Sequence, residues 1–351
     1  MRQRLDHPAF GYFHPRSEYY DAIIRWHEQR HGVEGLKRIH IGYENGVLGG
    51  VVSALEAFTA PGDKVLVHSP TYIGFSSSIA NSGRELVRSP LVRDSQGIWR
   101  MDYDDMDRKL GKHHIHAVVL CSPHNPTGRV WERDELERAL ELFVRHRCVV
   151  IADEIWSDII LTGHKHIPFQ SLGHHARQRC IALYAPSKTF NLAGLVGSYH
   201  IIYDEYLRDR MRAQASKSHY NDMNVLSMYA LIGAYEEEGS AWVDELCQVL
   251  SGNIEYMSEF LHERAPEISF ARPQGTYMMF LDCSRWCISH GVSIEDFLHA
   301  GWDVGVAWQD GRPFGGEETI RLNLALPRSR VEEACRRLDR FVFSRETESS
   351  N

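Results

Sequence analysis

Ala117-Val118-Val119-Leu120-Cys121-Ser122-Pro123-His124-Asn125-Pro126-Thr127-Gly128 is an apolar run that breaks into a turn, and Cys148-Val149-Val150-Ile151-Ala152-Asp153-Glu154 repeats the pattern. Between them, Asp134–Phe143 sets apolar residues at helical spacing. A short β-rich run, an amphipathic helix and a second such run form a strand–helix–strand unit, with each strand buried on both faces. The same signature extends outward. Lys64-Val65-Leu66-Val67-His68 follows the turn Ala60-Pro61-Gly62-Asp63, Cys180–Tyr184 is a further run, and Gly197–Tyr203 another. The alternation predicts an α/β fold with an open, mostly parallel central sheet and right-handed crossovers. Ligands of such sheets sit outside the carboxyl ends of the strands.

Towards the C-terminus the pattern changes. A long helix is expected over Ser240–Arg264, an alternating stretch over Gly275–Asp282, a strand at Thr319–Leu324 and a closing helix over Arg330–Phe343. These make a smaller α+β unit. Ser17–His31 reads as one amphipathic helix. The expected organisation is an N-terminal arm and helix over 1–30, a large domain over 31–240 and a small C-terminal domain over 241–351. The last residues, 345–351, are polar and expected to be disordered.

The chain has 351 residues and a net charge of −8, with no basic block. That balance argues against nucleic acid as a partner. No stretch approaches the length of apolar sequence that spans a bilayer, and the start carries no apolar signal region. Seven scattered cysteines, with no CxxC pair, suit reduced thiols in a cytoplasmic protein. His113-His114-Ile115-His116, His164-Lys165-His166 and His174-His175 lack a matched Cys or carboxylate set, so they read as surface histidines and no metal is expected.

Asn125, Asp153 and Lys188 each follow a predicted strand end, so the topology alone would gather them. Lys188 lies in Ala185-Pro186-Ser187-Lys188-Thr189-Phe190-Asn191-Leu192-Ala193-Gly194, a setting that suits an amine forming a Schiff base. An amide, a carboxylate and a lysine in that order are what a pyridoxal phosphate site needs.

From Leu5-Asp6-His7-Pro8-Ala9-Phe10-Gly11-Tyr12 to Arg321-Leu322-Asn323, and most specifically at Cys121–Pro126 and the Lys188 segment, the chain resembles the fold-type I pyridoxal-phosphate enzymes of the aminotransferase class I/II group. Within that group it resembles the MalY/PatB-type cystathionine β-lyases, or C–S lyases. Gly163-His164-Lys165-His166-Ile167-Pro168-Phe169 is a further mark of the subgroup. The resemblance implies the aspartate aminotransferase fold, a pyridoxal 5'-phosphate cofactor and a small amino-acid substrate. It also implies a homodimer whose active site is shared across the interface, with the N-terminal arm packing on the partner subunit.

It implies roles as well. Lys188 would hold the cofactor and then take the Cα proton, Asp153 would pair with the protonated ring nitrogen, and Asn125 would donate to the phenolic oxygen. Tyr72, in Ser69-Pro70-Thr71-Tyr72, would stack on the ring. Gly46, Val47 and Leu48, at the start of an apolar helix, would bind the phosphate through free N–H groups, with Ser187 as a lesser contact. Tyr12 would reach the phosphate of the neighbouring subunit. Arg321 would grip the substrate α-carboxylate, and Asn323 would line the same wall.

Four departures mark this chain. Trp156 stands where relatives carry His or Tyr near the phenolic oxygen, Ala185 where many offer a hydroxyl, and Val196 where aminotransferases place a phosphate-binding Arg. Relatives also carry a further N-terminal segment that closes the site, so a more open pocket or a different start is expected. The expected activity is β-elimination from cystathionine or a cysteine S-conjugate, bulky in a specialised pathway, giving thiol, pyruvate and ammonia. The alternatives are transamination, decarboxylation or cyclisation on the same fold, and a regulatory binding role.

Overall fold

The computed structural model describes residues 1–218 and 220–344. The tail expected to be disordered lies outside the described residues. An eight-stranded sheet is built from β1 (Ile41–Asn45), β2 (Lys64–Ser69), β3 (Glu85–Arg93), β4 (Trp99–Met101), β5 (Ala117–Cys121), β6 (Val149–Asp153), β7 (Cys180–Tyr184) and β8 (Gly197–Ile201). Its order is β1-β8-β7-β6-β5-β2-β3-β4. The run β7-β6-β5-β2-β3 is parallel, while β8 pairs antiparallel with both β7 and β1, and β4 caps the other edge antiparallel to β3.

Every residue of β5 is buried, because both faces of the sheet are covered. Val118 and Leu120 pack into one core layer with Trp131, Leu136 and Phe143. Val119 and Cys121 face the other layer, with Val51, Leu55 and Phe75. This explains a run that is continuously apolar rather than alternating. Each such side chain removed from water contributes about 1.5–3 kcal/mol. The intervening helix spans Arg133–Arg145, with Glu132 and Glu135 closing its first turn in a reciprocal capping box.

A second, antiparallel sheet is formed by β9 (Ser269–Phe270), β10 (Met278–Asp282), β11 (Gln309–Asp310) and β12 (Thr319–Asn323), in the order β11-β12-β10-β9. It has its own core, with Met279, Leu281, Phe297 and Ile320 at the centre. The helix Glu237–Arg264 leads into it, and Arg328–Leu338 covers it. The regular strand is shorter than the alternating stretch Gly275–Asp282: Gly275 makes a single bridge to Ile160, and the first four residues of β10 are buried, not alternating. No helix among the described residues is long and apolar enough to cross a membrane.

The Ser17–His31 helix ends on Gly32 in the left-handed conformation, φ +63°. Its buried face carries Trp26, whose ring stacks on Tyr235 at 4.3 Å.

Candidate active site

Strand alternation decides what faces the site. On β6, Ala152 points to the layer of Trp131 and Phe143, and Ile151 to the layer of Leu55. Asp153 follows Ile151 and lines a cavity of about 330 Å³. Glu154 turns the other way. It is fully buried, accepts from His166 Nε2 at 2.9 Å, from Tyr184 Oη at 2.5 Å and from the Phe169 amide at 2.7 Å. His166 is therefore not a surface histidine: it is buried on Glu154 and pins the Gly163–Phe169 loop beneath the sheet end.

The cavity gathers residues from seven separate segments. Asp153 is the last residue of β6, Asn125 and Lys188 come from the loops after β5 and β7, and Tyr72 from the loop after β2. Gly46 caps the start of the helix Val47–Phe58, which Val47 and Leu48 open, and Ser187, Trp156, Arg321 and Met278 of β10 also line the cavity. Two expected residues lie elsewhere. Asn323 is exposed, accepts from the Ala325 amide and lines a separate cavity beside Arg330 and Val331. β12 ends there, and the chain turns away. Tyr12 is fully exposed, in an N-terminal stretch without regular structure.

Asp153 is buried, and among the described residues its Oδ1 accepts only from the Ile155 amide, at 3.1 Å. Burial pushes its pKa from 3.8 to about 7. The Ile155 contact and the charge of Lys188 pull the other way without offsetting it. Lys188 is held below its ordinary value, first by burial, with Arg321 adding repulsion and Asp153 opposing. Its Nζ lies 5.6 Å from the Trp156 ring centre, and Trp156 packs edge-on against Tyr277 at 4.7 Å. Arg321 is buried, donates from Nη1 to Asn125 Oδ1 at 2.9 Å and lies 4.3 Å from the Phe314 ring centre. This fixes the Asn125 amide with its oxygen towards Arg321 and leaves its N–H₂ end as the donor.

Gly46 takes φ +78° just before the Val47–Phe58 helix, a backbone that favours glycine. The first N–H groups of that helix have no carbonyl partner within it and carry its positive dipole end. Val196 lies beside this cradle: a Cβ on Gly46 would meet Val196 Cγ1 at 3.4 Å. Val196 itself sits at φ +58°, rare for a β-branched residue.

These features fit pyridoxal phosphate. A protonated ring nitrogen would meet the buried Asp153 carboxylate, which forms no ion pair among the described residues. A phosphate would meet the helix start, and the Asn125 amide would meet a phenolic oxygen. The lysine stands in the same cavity.

Two supports were not foreseen from sequence. Thr189, next to Lys188, donates to Asp158 Oδ2 at 3.2 Å. Asp158 Oδ1 in turn accepts from Trp26 Nε1 at 3.0 Å and His31 Nε2 at 3.1 Å. The helix Ser17–His31 thus braces the lysine loop. In the sequence this face showed only as part of an amphipathic helix over Ser17–His31, which has to pack on something.

Comparison with known proteins agrees. Residues 4–338 match the family model described as aminotransferase class I and II. Cystathionine beta-lyase PatB of Bacillus subtilis is 34% identical, over 96% of this chain and 86% of that protein. Protein MalY of Escherichia coli is 31% identical, over 95% and 84% respectively. The crystal structure of cystalysin from Treponema denticola, which contains a pyridoxal 5'-phosphate cofactor, superposes with a TM-score of 0.89 at 30% identity, covering 96% of this chain and 85% of that one. With nearly the whole length matched, the chain belongs to the aminotransferase class I and II family.

Proposed function

We propose that this protein is a pyridoxal-phosphate-dependent carbon–sulfur lyase, acting on cystathionine or another cysteine S-conjugate. The observation that carries the proposal is the buried, under-partnered Asp153 in one cavity with Lys188 and Arg321. Similarity to PatB, named a cystathionine beta-lyase, and to a PLP-bound C–S lyase from Staphylococcus hominis (TM-score 0.89, 29% identity) supports the elimination chemistry.

When bound, pyridoxal phosphate supplies an electron sink that acidifies the substrate Cα–H. The protein's own groups do the rest. The helix start at Gly46–Leu48 and Ser187 hold the phosphate, Asp153 holds the ring-nitrogen proton, and Tyr72 covers the ring face. Asn125 donates to the phenolic oxygen. Arg321 orients the substrate through its carboxylate. Lys188, favoured as a neutral amine by burial, accepts the Cα proton at Nζ. The C–S bond breaks, the sulfur leaves as thiolate and is protonated, and one water converts the remaining three-carbon fragment to pyruvate and ammonia. Val196, in place of a cationic phosphate partner, favours elimination over transamination.

Tyr12, exposed on the N-terminal arm, reaches the phosphate site of a second subunit, so the active unit is a homodimer with shared sites. The second sheet, with its own core, supports a division into a large domain to about residue 240 and a small one beyond. The protein works in the cytoplasm, consistent with seven free cysteines.

The test is to load the purified protein with cofactor and supply L-cystathionine and a panel of S-alkyl and S-aryl cysteines. Thiol and pyruvate in equal amounts are expected. Neither product from a loaded enzyme, or stoichiometric pyridoxamine phosphate, contradicts the proposal.

A further inference from the structure

Arg321 is one of two cationic side chains that line the cavity among the described residues, and its surroundings are unusual for a buried cation. No carboxylate forms an ion pair with it among the described residues. It is held instead by neutral groups. β11 runs antiparallel to β12 with Gln309 directly opposite Arg321. Gln309 Oε1 accepts from Arg321 Nε at 3.0 Å and from Nη2 as well. Asn125 Oδ1 accepts from Nη1, and the Phe314 ring supports the plane.

A guanidinium has five N–H groups in a rigid fork. With these contacts made, one donor remains on Nη1 and one on Nη2. That is the number a two-pronged carboxylate contact uses. We infer that Gln309 is a positioning residue for substrate recognition: its amide oxygen fixes the Arg321 fork and leaves the positive charge uncancelled for the substrate carboxylate. The inference rests on the role given to Arg321 above.

The chemistry at position 309 is specific. An amide oxygen orients the fork and carries no net charge. A carboxylate there would supply the very anion the substrate must bring, and would occupy the cation before substrate arrives. An aliphatic side chain would leave the Nε edge of the fork unheld, with only Asn125 and the Phe314 ring to orient it. Gln309 is exposed and sits on a two-residue edge strand, so exchanges there leave the cores intact.

The test uses the cofactor-loaded enzyme and the variants Gln309→Glu and Gln309→Leu. L-Alanine, which lacks a Cβ leaving group, is titrated against the absorbance of the bound cofactor, and ethylamine serves as a carboxylate-free control. KM and kcat are measured separately with an S-alkyl cysteine. Gln309→Glu is expected to weaken L-alanine binding and raise KM by about tenfold or more, with Gln309→Leu smaller. For both, kcat stays within about threefold, the pattern of lost carboxylate binding without lost chemistry. Ethylamine should respond equally in all three proteins. Variants that match the wild type in L-alanine binding and KM overturn the inference, as does equal weakening for ethylamine. If the wild type gives no absorbance response to any amine, the reading of the site itself fails and this inference falls with it.

Discussion

Two buried aspartates lie five residues apart on one segment, and they are opposites. Asp158 is saturated. Trp26, His31 and Thr189 donate to it, and Arg30 Nε stands 3.9 Å away. Burial pushes its pKa up, but the His31 contact and the charges of His31 and Arg30 outweigh that, so it stays below the ordinary carboxylate range. Asp153 receives one backbone N–H, and burial wins, raising it to about 7. Burial of a charge is tolerated where partners surround it and is costly where they do not. A saturated buried carboxylate is architecture. An under-partnered one facing a cavity is half of a contact whose other half is a ligand.

That contrast can be attacked by exchanging each carboxylate for its amide. Asp153→Asn should lower kcat/KM by about a hundredfold or more, as loss of a fixed charge at a reacting centre does. The folded state should survive intact. Asp158→Asn should do the reverse, costing about 3–5 kcal/mol of unfolding free energy because it strips partners from buried donors and a buried charge. Its activity should fall less at temperatures where it stays folded. Denaturant unfolding and initial rates on both variants separate the two patterns. Equal damage to stability by both would erase the distinction.

The pH dependence of cofactor-free stability should also have opposite signs at the two sites. Asp153 has a raised folded pKa, so it destabilises the empty protein increasingly as pH rises from 3.8 through about 7. Asp153→Asn should therefore gain on the wild type across that window. Asp158 has a lowered folded pKa, so its stabilisation is present above 3.8 and is lost as pH falls through its folded value. Melting temperatures of the cofactor-free proteins report the Asp153 slope between pH 4 and 9, and the Asp158 slope only in points taken below pH 3.8.

The smallest effect expected is at the bridge between the two. Thr189→Val removes one hydroxyl donor to Asp158, worth about 1–2 kcal/mol, and loosens the loop that carries Lys188. Thr189→Ser should restore it. Equal stability and kcat in the valine and serine variants would show that the lysine loop does not depend on Asp158.

The parallel core of the fold was legible in the sequence because β2, β5, β6 and β7 are short, continuous and apolar, and helices separate them. β1, β3 and β4 were not. β3 carries Pro90 and arginines and is largely half-exposed, so it reads as loop until β2 pairs with it. The antiparallel direction of β8 was also hidden, because burial periodicity carries no sign of strand direction. Asn125, Asp153 and Lys188 were legible because each lies at or just beyond the carboxyl end of a strand in the parallel run. The partners of Asp158 and Arg321 were not. Trp26 and Asp158 are separated by 132 residues, and Gln309 meets Arg321 only through the register of an edge strand. His166 was misread for the same reason: its partner Glu154 is set by which face of β6 the adjacent acid turns to.

The most direct measurement is the rise in melting temperature on adding pyridoxal phosphate at pH 8 to the wild type, Asp153→Asn and Asp158→Asn. Asp158→Asn should start lower and rise by the wild-type increment, while Asp153→Asn should start at or above the wild type and rise far less. An undiminished increment in Asp153→Asn would contradict the assignment of that carboxylate to the cofactor.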